Sequence, residues 1–155
     1  MKIIFFDFDG TISVPNYRNT DGQLVMAFKN GGWKDYVLET TPDTFRDCRP
    51  VKPVLRYASE CKDQGCLIYV LTAATGPEEV AGKAKFLQQH CPGLFDDLLW
   101  VSSPEDKLDR MKEIAATHGL TLSDCALVED SFATLIYVMH YGVEPIHVSS
   151  LVCDL

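Results

Sequence analysis

Four consecutive apolar residues, Ile3-Ile4-Phe5-Phe6, run directly into Asp7-Phe8-Asp9-Gly10-Thr11. An apolar run with no polar alternation reads as a strand covered on both faces, and such strands lie in the middle of parallel sheets flanked by helices. Gly10 then provides for a sharp turn. A central strand that ends in two carboxylates is unusual, because charge at the core is costly unless something binds it.

The rest of the chain alternates in the way a parallel sheet requires. From residue 53, Val54, Ala58 and Cys61 share one helical face and Gly65 closes the element; an apolar strand follows over 66–71, ending at Thr72. Pro77 with Glu78 and Glu79 starts a second helix, whose expected apolar stripe is Val80, Ala84, Leu87 and Cys91 before Pro92-Gly93 stops it. A strand is expected over 98–101, then a capped helix start at Ser103-Pro104-Glu105-Asp106 with Leu108, Met111, Ala115 and His118 at helical spacing. The pattern closes with a strand over 125–128, an amphipathic helix carrying Phe132, Leu135, Ile136 and Met139, and a strand over 143–148 that Pro145 assigns to a sheet edge. Strand–helix alternation with right-handed crossovers gives an α/β fold: a Rossmann-like three-layer α/β/α sandwich around a central, mainly parallel five-stranded sheet.

Residues 12–50 break this pattern. Pro15, Asp21-Gly22, Gly31-Gly32, Pro42 and Pro50 predict turns and short strands, with a hairpin over 24–28, as a small β-rich insertion after the first strand. Charge is uneven as well. The formal net charge is −8, yet residues 16–52 hold six basic against five acidic side chains, so this segment is the face suited to an anionic ligand. The overall acidity does not favour nucleic acid as a partner, although it does not exclude it.

With 155 residues and 46% hydrophobic content, the chain suits one domain with a full core. Its opening residues are too briefly apolar for a signal peptide or a membrane span, and six cysteines lack any C-x-x-C pair. A cytoplasmic protein with structural thiols and no membrane partner is expected.

In an open parallel sheet, ligands bind beyond the carboxyl ends of the strands. Asp7 and Asp9, Thr72, Lys107, Glu129 and Asp130 all fall at such ends or at the helix start that follows one. Carboxylates gathered from two strands need a cation, and all-oxygen ligands suit Mg²⁺. One carboxylate can act as a covalent nucleophile while another protonates a leaving oxygen, with a hydroxyl and an ammonium stabilising phosphoryl charge.

Asp7-Phe8-Asp9-Gly10-Thr11, Val70-Leu71-Thr72, Lys107 and Leu127-Val128-Glu129-Asp130-Ser131, in that order, resemble the four motifs of the haloacid dehalogenase superfamily. The resemblance covers the first strand and residues 51–148. It implies that Asp7 is nucleophile and Mg²⁺ ligand, and that Asp9 is general acid/base and a ligand through its backbone carbonyl. It also implies that Thr72, with Ala73 beside it, binds the phosphoryl group and that Lys107 bridges nucleophile and phosphoryl oxygens. Asp130 would hold the metal directly, and Glu129, standing where many members have aspartate, would lie near Lys107 or a metal-bound water. Aspartate at position 9 points to a phosphatase rather than a dehalogenase. The implied activity is hydrolysis of a phosphomonoester, on a small phosphorylated metabolite or a nucleotide. A macromolecular substrate (a polynucleotide end or a phosphoprotein) and phosphotransfer or phosphomutase chemistry are the alternatives.

The family's members differ in an inserted cap, and residues 12–50 leave room only for a flap or minimal cap within a single domain over 1–155. An open site of that kind can be completed by a second copy in a homodimer. Trp33, Tyr17, Tyr36 and Phe45 are expected to form a small satellite core in this segment rather than a substrate platform. The four histidines carry no catalytic role.

Overall fold

The computed structural model describes residues 1–15, 21–22 and 44–153. Ile3–Phe6 forms strand β1, and every residue of it is buried. Side chains alternate across a strand. Ile4 and Phe6, with Phe8 beyond the strand, therefore enter one apolar cluster, while Ile3 and Phe5 enter another on the opposite face. Full burial of each phenylalanine contributes about 1.5–3 kcal/mol, so these five side chains alone anchor both halves of the core.

Strand β1 pairs in parallel with β4 (Leu67–Ala73) on one side and β6 (Cys125–Glu129) on the other, with Ile3 opposite Leu67 and Cys125. Beyond them lie β5 (Asp97–Val101) and β7 (Glu144–His147), giving the parallel order β5-β4-β1-β6-β7. Pro145 sits in β7, an edge strand whose missing N–H costs the sheet nothing on its open side.

Helices cover both faces. Helix α1 (Lys52–Asp63) buries Val54, Ala58 and Cys61, the expected stripe, and ends where Gly65 takes φ +84°. With α2 (Pro77–His90) and the short α5 (Val148–Val152) it packs on the face that holds Phe6 and Val70. Helices α3 (Lys107–Thr117) and α4 (Phe132–Met139) cover the other face with Leu108, Met111, Ala115, Leu135 and Val138. His118 is exposed, its Nε2 2.9 Å from the Tyr69 hydroxyl. The result is the expected three-layer α/β sandwich.

Two helices face the core in a different phase from that expected. In α2 the buried residues are Glu79, Lys83 and Phe86, whereas Val80 and Leu87 are only half-buried and Ala84 is exposed. The helix is turned so that a lysine, not an alanine, meets the sheet. In α4 the buried residues are Leu135 and Val138, leaving Phe132, Ile136 and Met139 about half exposed or more. That helix is apolar almost all round, so periodicity could not choose its inward face; the position of the sheet did.

Residues 13–14 (β2) and 49–50 (β3) pair antiparallel, so the chain enters and leaves the irregular segment side by side. Phe45 is buried and stands edge-on to Phe8 with ring centroids 5.3 Å apart, within the main core rather than a satellite one. The hairpin expected over 24–28 and the aromatics Tyr17, Trp33 and Tyr36 lie outside the described residues. All six cysteines are free thiols. Among the described residues, no helix is long and apolar enough to cross a membrane.

Candidate active site

The centre of the site is the first residue past β1. The Asp7 N–H donates to the Val128 carbonyl oxygen at 2.9 Å, extending the sheet by one rung and fixing where the Asp7 side chain starts. Lys107 is the first residue of α3, delivered there by a 3₁₀ turn over Pro104–Asp106. Its ammonium donates to Asp7 Oδ1 and to Glu129 Oε2, each at 2.7 Å, and all three side chains are buried. Glu129 closes β6, and its Oε1 accepts from the backbone N–H groups of Asp130 (3.2 Å) and Ser131 (3.3 Å) at the start of α4. Both oxygens of Glu129 are thereby engaged, while the neighbouring Asp130 is exposed.

Asp130 lies over Gly10. A Cβ on Gly10 would stand 2.3 Å from Asp130 Oδ2, and Gly10 itself has φ +78°, so glycine is required both by the turn and by the close carboxylate. Asp7, Glu129 and Asp130 each place one oxygen within 4.8 Å of the others. Three carboxylates held this close, with a single lysine to balance them and one member open to solvent, form an oxygen-donor set that fits Mg²⁺.

A second cluster adjoins the first. Thr72, at the end of β4, is fully buried, and its hydroxyl donates to the Ala73 carbonyl oxygen at 3.2 Å. The Lys83 ammonium reaches it from α2, donating to Thr72 Oγ1 (2.7 Å), Asp9 Oδ2 (2.6 Å) and Ala73 O (3.1 Å), with the Glu79 carboxylate 2.9 Å away. Asp7 and Asp9 thus have a lysine each. The structure brings Asp7, Lys107 and Glu129 into contact beside Asp130, and Asp9 into contact with Thr72 and Ala73 through Lys83. Lys83 has no place among the residues expected from the sequence, and Glu79 figures there only as part of a helix start. The available signal was a Glu–Lys pair at i, i+4 in phase with Phe86, which usually marks a solvated helix face.

Burial dominates the acid–base behaviour. It pushes the Asp7 carboxyl up to about 6 against the pull of Lys107, helped by the Glu129 charge. Asp9 is pushed up to about 7, again by burial, with Lys83 opposing. Glu129 is raised by burial in spite of Lys107. Burial pulls Lys107 down, but the Asp7 and Glu129 carboxylates more than offset it and its net shift is upward. Because Asp7 and Asp9 hold protons more tightly folded than unfolded, the stability they contribute is present at low pH and is lost as pH rises through 6 and 7. The melting temperature of the metal-free protein is therefore expected to fall between about pH 5 and about pH 8, and millimolar Mg²⁺ to restore more of it at the upper pH. Scanning calorimetry with and without a chelator measures this, and a metal-free melting temperature that rises over that range contradicts it.

No family model matches this sequence, and no curated protein matches it. Solved structures do match. A phospho-aspartyl intermediate analogue of phosphoserine phosphatase superposes with a TM-score of 0.61 at 14% identity, over 97% of this chain and 90% of that one. A haloacid dehalogenase-like family hydrolase from Streptococcus pneumoniae gives 0.57 at 16% identity, over 94% and 83%. The N-terminal part of a Bacteroides fragilis protein, containing a phosphatase domain complexed with Mg, gives 0.55 at 17% identity over 93% of this chain. This chain spans only 35% of the length of that last structure. The parallel order β5-β4-β1-β6-β7, with acidic residues at the carboxyl ends of β1 and β6, and these likenesses show that the chain shares the α/β fold of those structures.

Proposed function

We propose that the chain is a Mg²⁺-dependent phosphomonoester hydrolase that works through an aspartyl-phosphate on Asp7. The observation that carries this reading is the Lys107 ammonium set 2.7 Å from both Asp7 Oδ1 and Glu129 Oε2, next to the exposed Asp130. Lys107 occupies one oxygen of Asp7 and leaves Oδ2 for attack on phosphorus. As the P–O bond to the leaving group breaks, Asp9 gives that oxygen its proton; Asp9 then takes a proton from the water that hydrolyses the acyl phosphate. A carboxyl pushed up to about 7 is suited to both tasks near neutral pH. Thr72, the backbone at Ala73 and Lys107 hold phosphoryl oxygens. Asp7, Asp130 and the Asp9 carbonyl would hold the Mg²⁺, with Glu129 acting through Lys107. When bound, the ion supplies charge that offsets repulsion between the carboxylate and the phosphate dianion.

The similar structures support this reading by name, one as a phospho-aspartyl analogue and one as a phosphatase domain with Mg. The substrate we assign is a small phosphorylated metabolite or nucleotide, admitted through an open site in a single domain where residues 12–50 serve as minimal cap. Six free thiols accord with a cytoplasmic setting. A panel of phosphomonoesters assayed with Mg²⁺ and with chelator tests the activity, and metal-independent or absent turnover refutes it. Asp9→Asn is expected to lower turnover by roughly 10²- to 10⁴-fold, or about 3–5 kcal/mol, in the same assay.

A further inference from the structure

We propose that Lys83 is the positioning residue of this site, holding the Asp9 carboxyl for proton donation to the leaving oxygen and the Thr72 hydroxyl for phosphoryl binding. The inference rests on the hydrolase reading above and adds to it a residue outside the four motifs.

Lys83 is wholly buried, so its ammonium acts on its neighbours and not on substrate in the open site. An ammonium has three hydrogens and no lone pair. Here all three are used, on Asp9 Oδ2, Thr72 Oγ1 and Ala73 O, and Glu79 at 2.9 Å is left as a Coulombic partner. Two consequences follow from a partner that can only donate. At Asp9, Oδ2 is committed, so Oδ1 is the oxygen that carries and delivers the proton. At Thr72, a lone pair is committed to Lys83, so the hydroxyl hydrogen must seek another acceptor. Among the described residues it finds only the Ala73 carbonyl at 3.2 Å, longer than the usual range for O–H donors. A charged phosphoryl oxygen is a stronger acceptor and would take that hydrogen by a simple rotation about the threonine side chain.

The surroundings of Lys83 argue against a purely structural ion pair. Burying an ammonium is costly, and Glu79 one turn earlier could have offset that cost alone. Instead the side chain crosses to β4 and to Asp9, 74 positions away in sequence. The rings of Phe8 and Phe45 flank it, with centroids 5.3 and 5.6 Å from Nζ, in the range of cation–π attraction. Phe45 can come this close because the helix residue preceding Lys83 is Gly82, where a Cβ would stand 2.9 Å from its ring. The same rings close off the apolar side, so the ammonium points towards Asp9, Thr72, Ala73 and Glu79.

The test compares two substrates. An aryl phosphate releases a stabilised phenolate that needs little help from an acid, whereas an alkyl phosphate releases an oxygen that must be protonated. Lys83→Met is expected to lower kcat/KM, which reports the steps up to release of the leaving group, about tenfold on the aryl ester, through Thr72, and about 10³-fold on the alkyl ester, through Asp9. Because Lys83→Met leaves Glu79 buried and unpaired, the double variant Lys83→Met with Glu79→Gln is assayed beside it and its folding followed by thermal melting. The same widened gap between the two esters in the folded double variant supports the positioning role. An equal loss on both esters overturns it and leaves the hydrolase reading standing, provided that wild type turns over and Asp7→Asn does not. A wild-type protein that cleaves neither ester overturns both.

Discussion

Replacing Asp7 by asparagine is expected to abolish turnover of any phosphomonoester the protein hydrolyses, with a loss of at least about 10⁴-fold, or more than ~5 kcal/mol of transition-state stabilisation. An amide has neither the charge nor the nucleophilicity to form an acyl phosphate, so no lesser pathway through position 7 remains. The same change should leave the fold intact. Asparagine matches aspartate in shape, and its carbonyl oxygen can still accept from Lys107, which now stands 2.7 Å from Asp7 Oδ1. The folded protein already disfavours a charge at this position, since burial pushes the carboxyl up to about 6. At about pH 8 a neutral side chain there should therefore melt at the same temperature as wild type or slightly above it. Steady-state assays in Mg²⁺ with parallel melts separate the two effects. Wild-type rates in the variant would remove the nucleophile from the mechanism, and an unfolded variant would show that the Asp7 charge is structural.

Lys107→Met is expected to damage stability and catalysis together. Lys107 is the ion-pair partner of two buried carboxylates, and removing it leaves both without a counter-charge. Breaking a buried pair from one side costs about 3–5 kcal/mol, far above the few tenths that a solvated lysine contributes. The loss should be smaller in acid than at neutral pH, because Asp7 and Glu129 are both raised by burial and take up protons once the lysine is gone. Turnover should fall about 10³- to 10⁴-fold, since the same ammonium orients the nucleophile and faces the phosphoryl oxygens. Denaturant unfolding at two pH values measures the first effect. A loss under ~0.5 kcal/mol at neutral pH would mean that Lys107 is an ordinary surface lysine, contrary to its burial.

The elements that could be read in the chain were those whose cause is local. An apolar run with no alternation can only be a central strand, and β1 lies at the centre of the sheet. The stripe of Val54, Ala58 and Cys61 faces inward because three- and four-residue spacing settles a helix face when the other faces are polar. Pro145 marks an edge because a missing N–H does so wherever it occurs. Asp7, Asp9, Thr72, Lys107, Glu129 and Asp130 could be named because each stands where a strand ends or a helix begins, and the parallel sheet brings those ends to one side.

Tertiary structure decided what depends on partners distant in sequence. The inward face of α4 is Leu135 and Val138 rather than the expected stripe of Phe132, Leu135, Ile136 and Met139, because its residues are apolar nearly all round and local spacing does not choose among them. The phase of α2 departs from its local pattern for the opposite reason. A stripe of Val80, Ala84 and Leu87 satisfies any local rule, yet the helix buries Glu79, Lys83 and Phe86. Spacing along a helix reports neighbours within four residues, whereas the acceptors that make a buried lysine tolerable are Asp9 in the turn after β1 and Thr72 on β4. The roles of Glu129 and Asp130 divide for a like reason: Glu129 has both oxygens tied to Lys107 and the α4 backbone, and Asp130 faces solvent over a glycine. The placing of six candidate site residues at strand and helix ends was therefore legible in the chain itself, but their pairing, one lysine to each aspartate, exists only once three strands and two helices have been brought together.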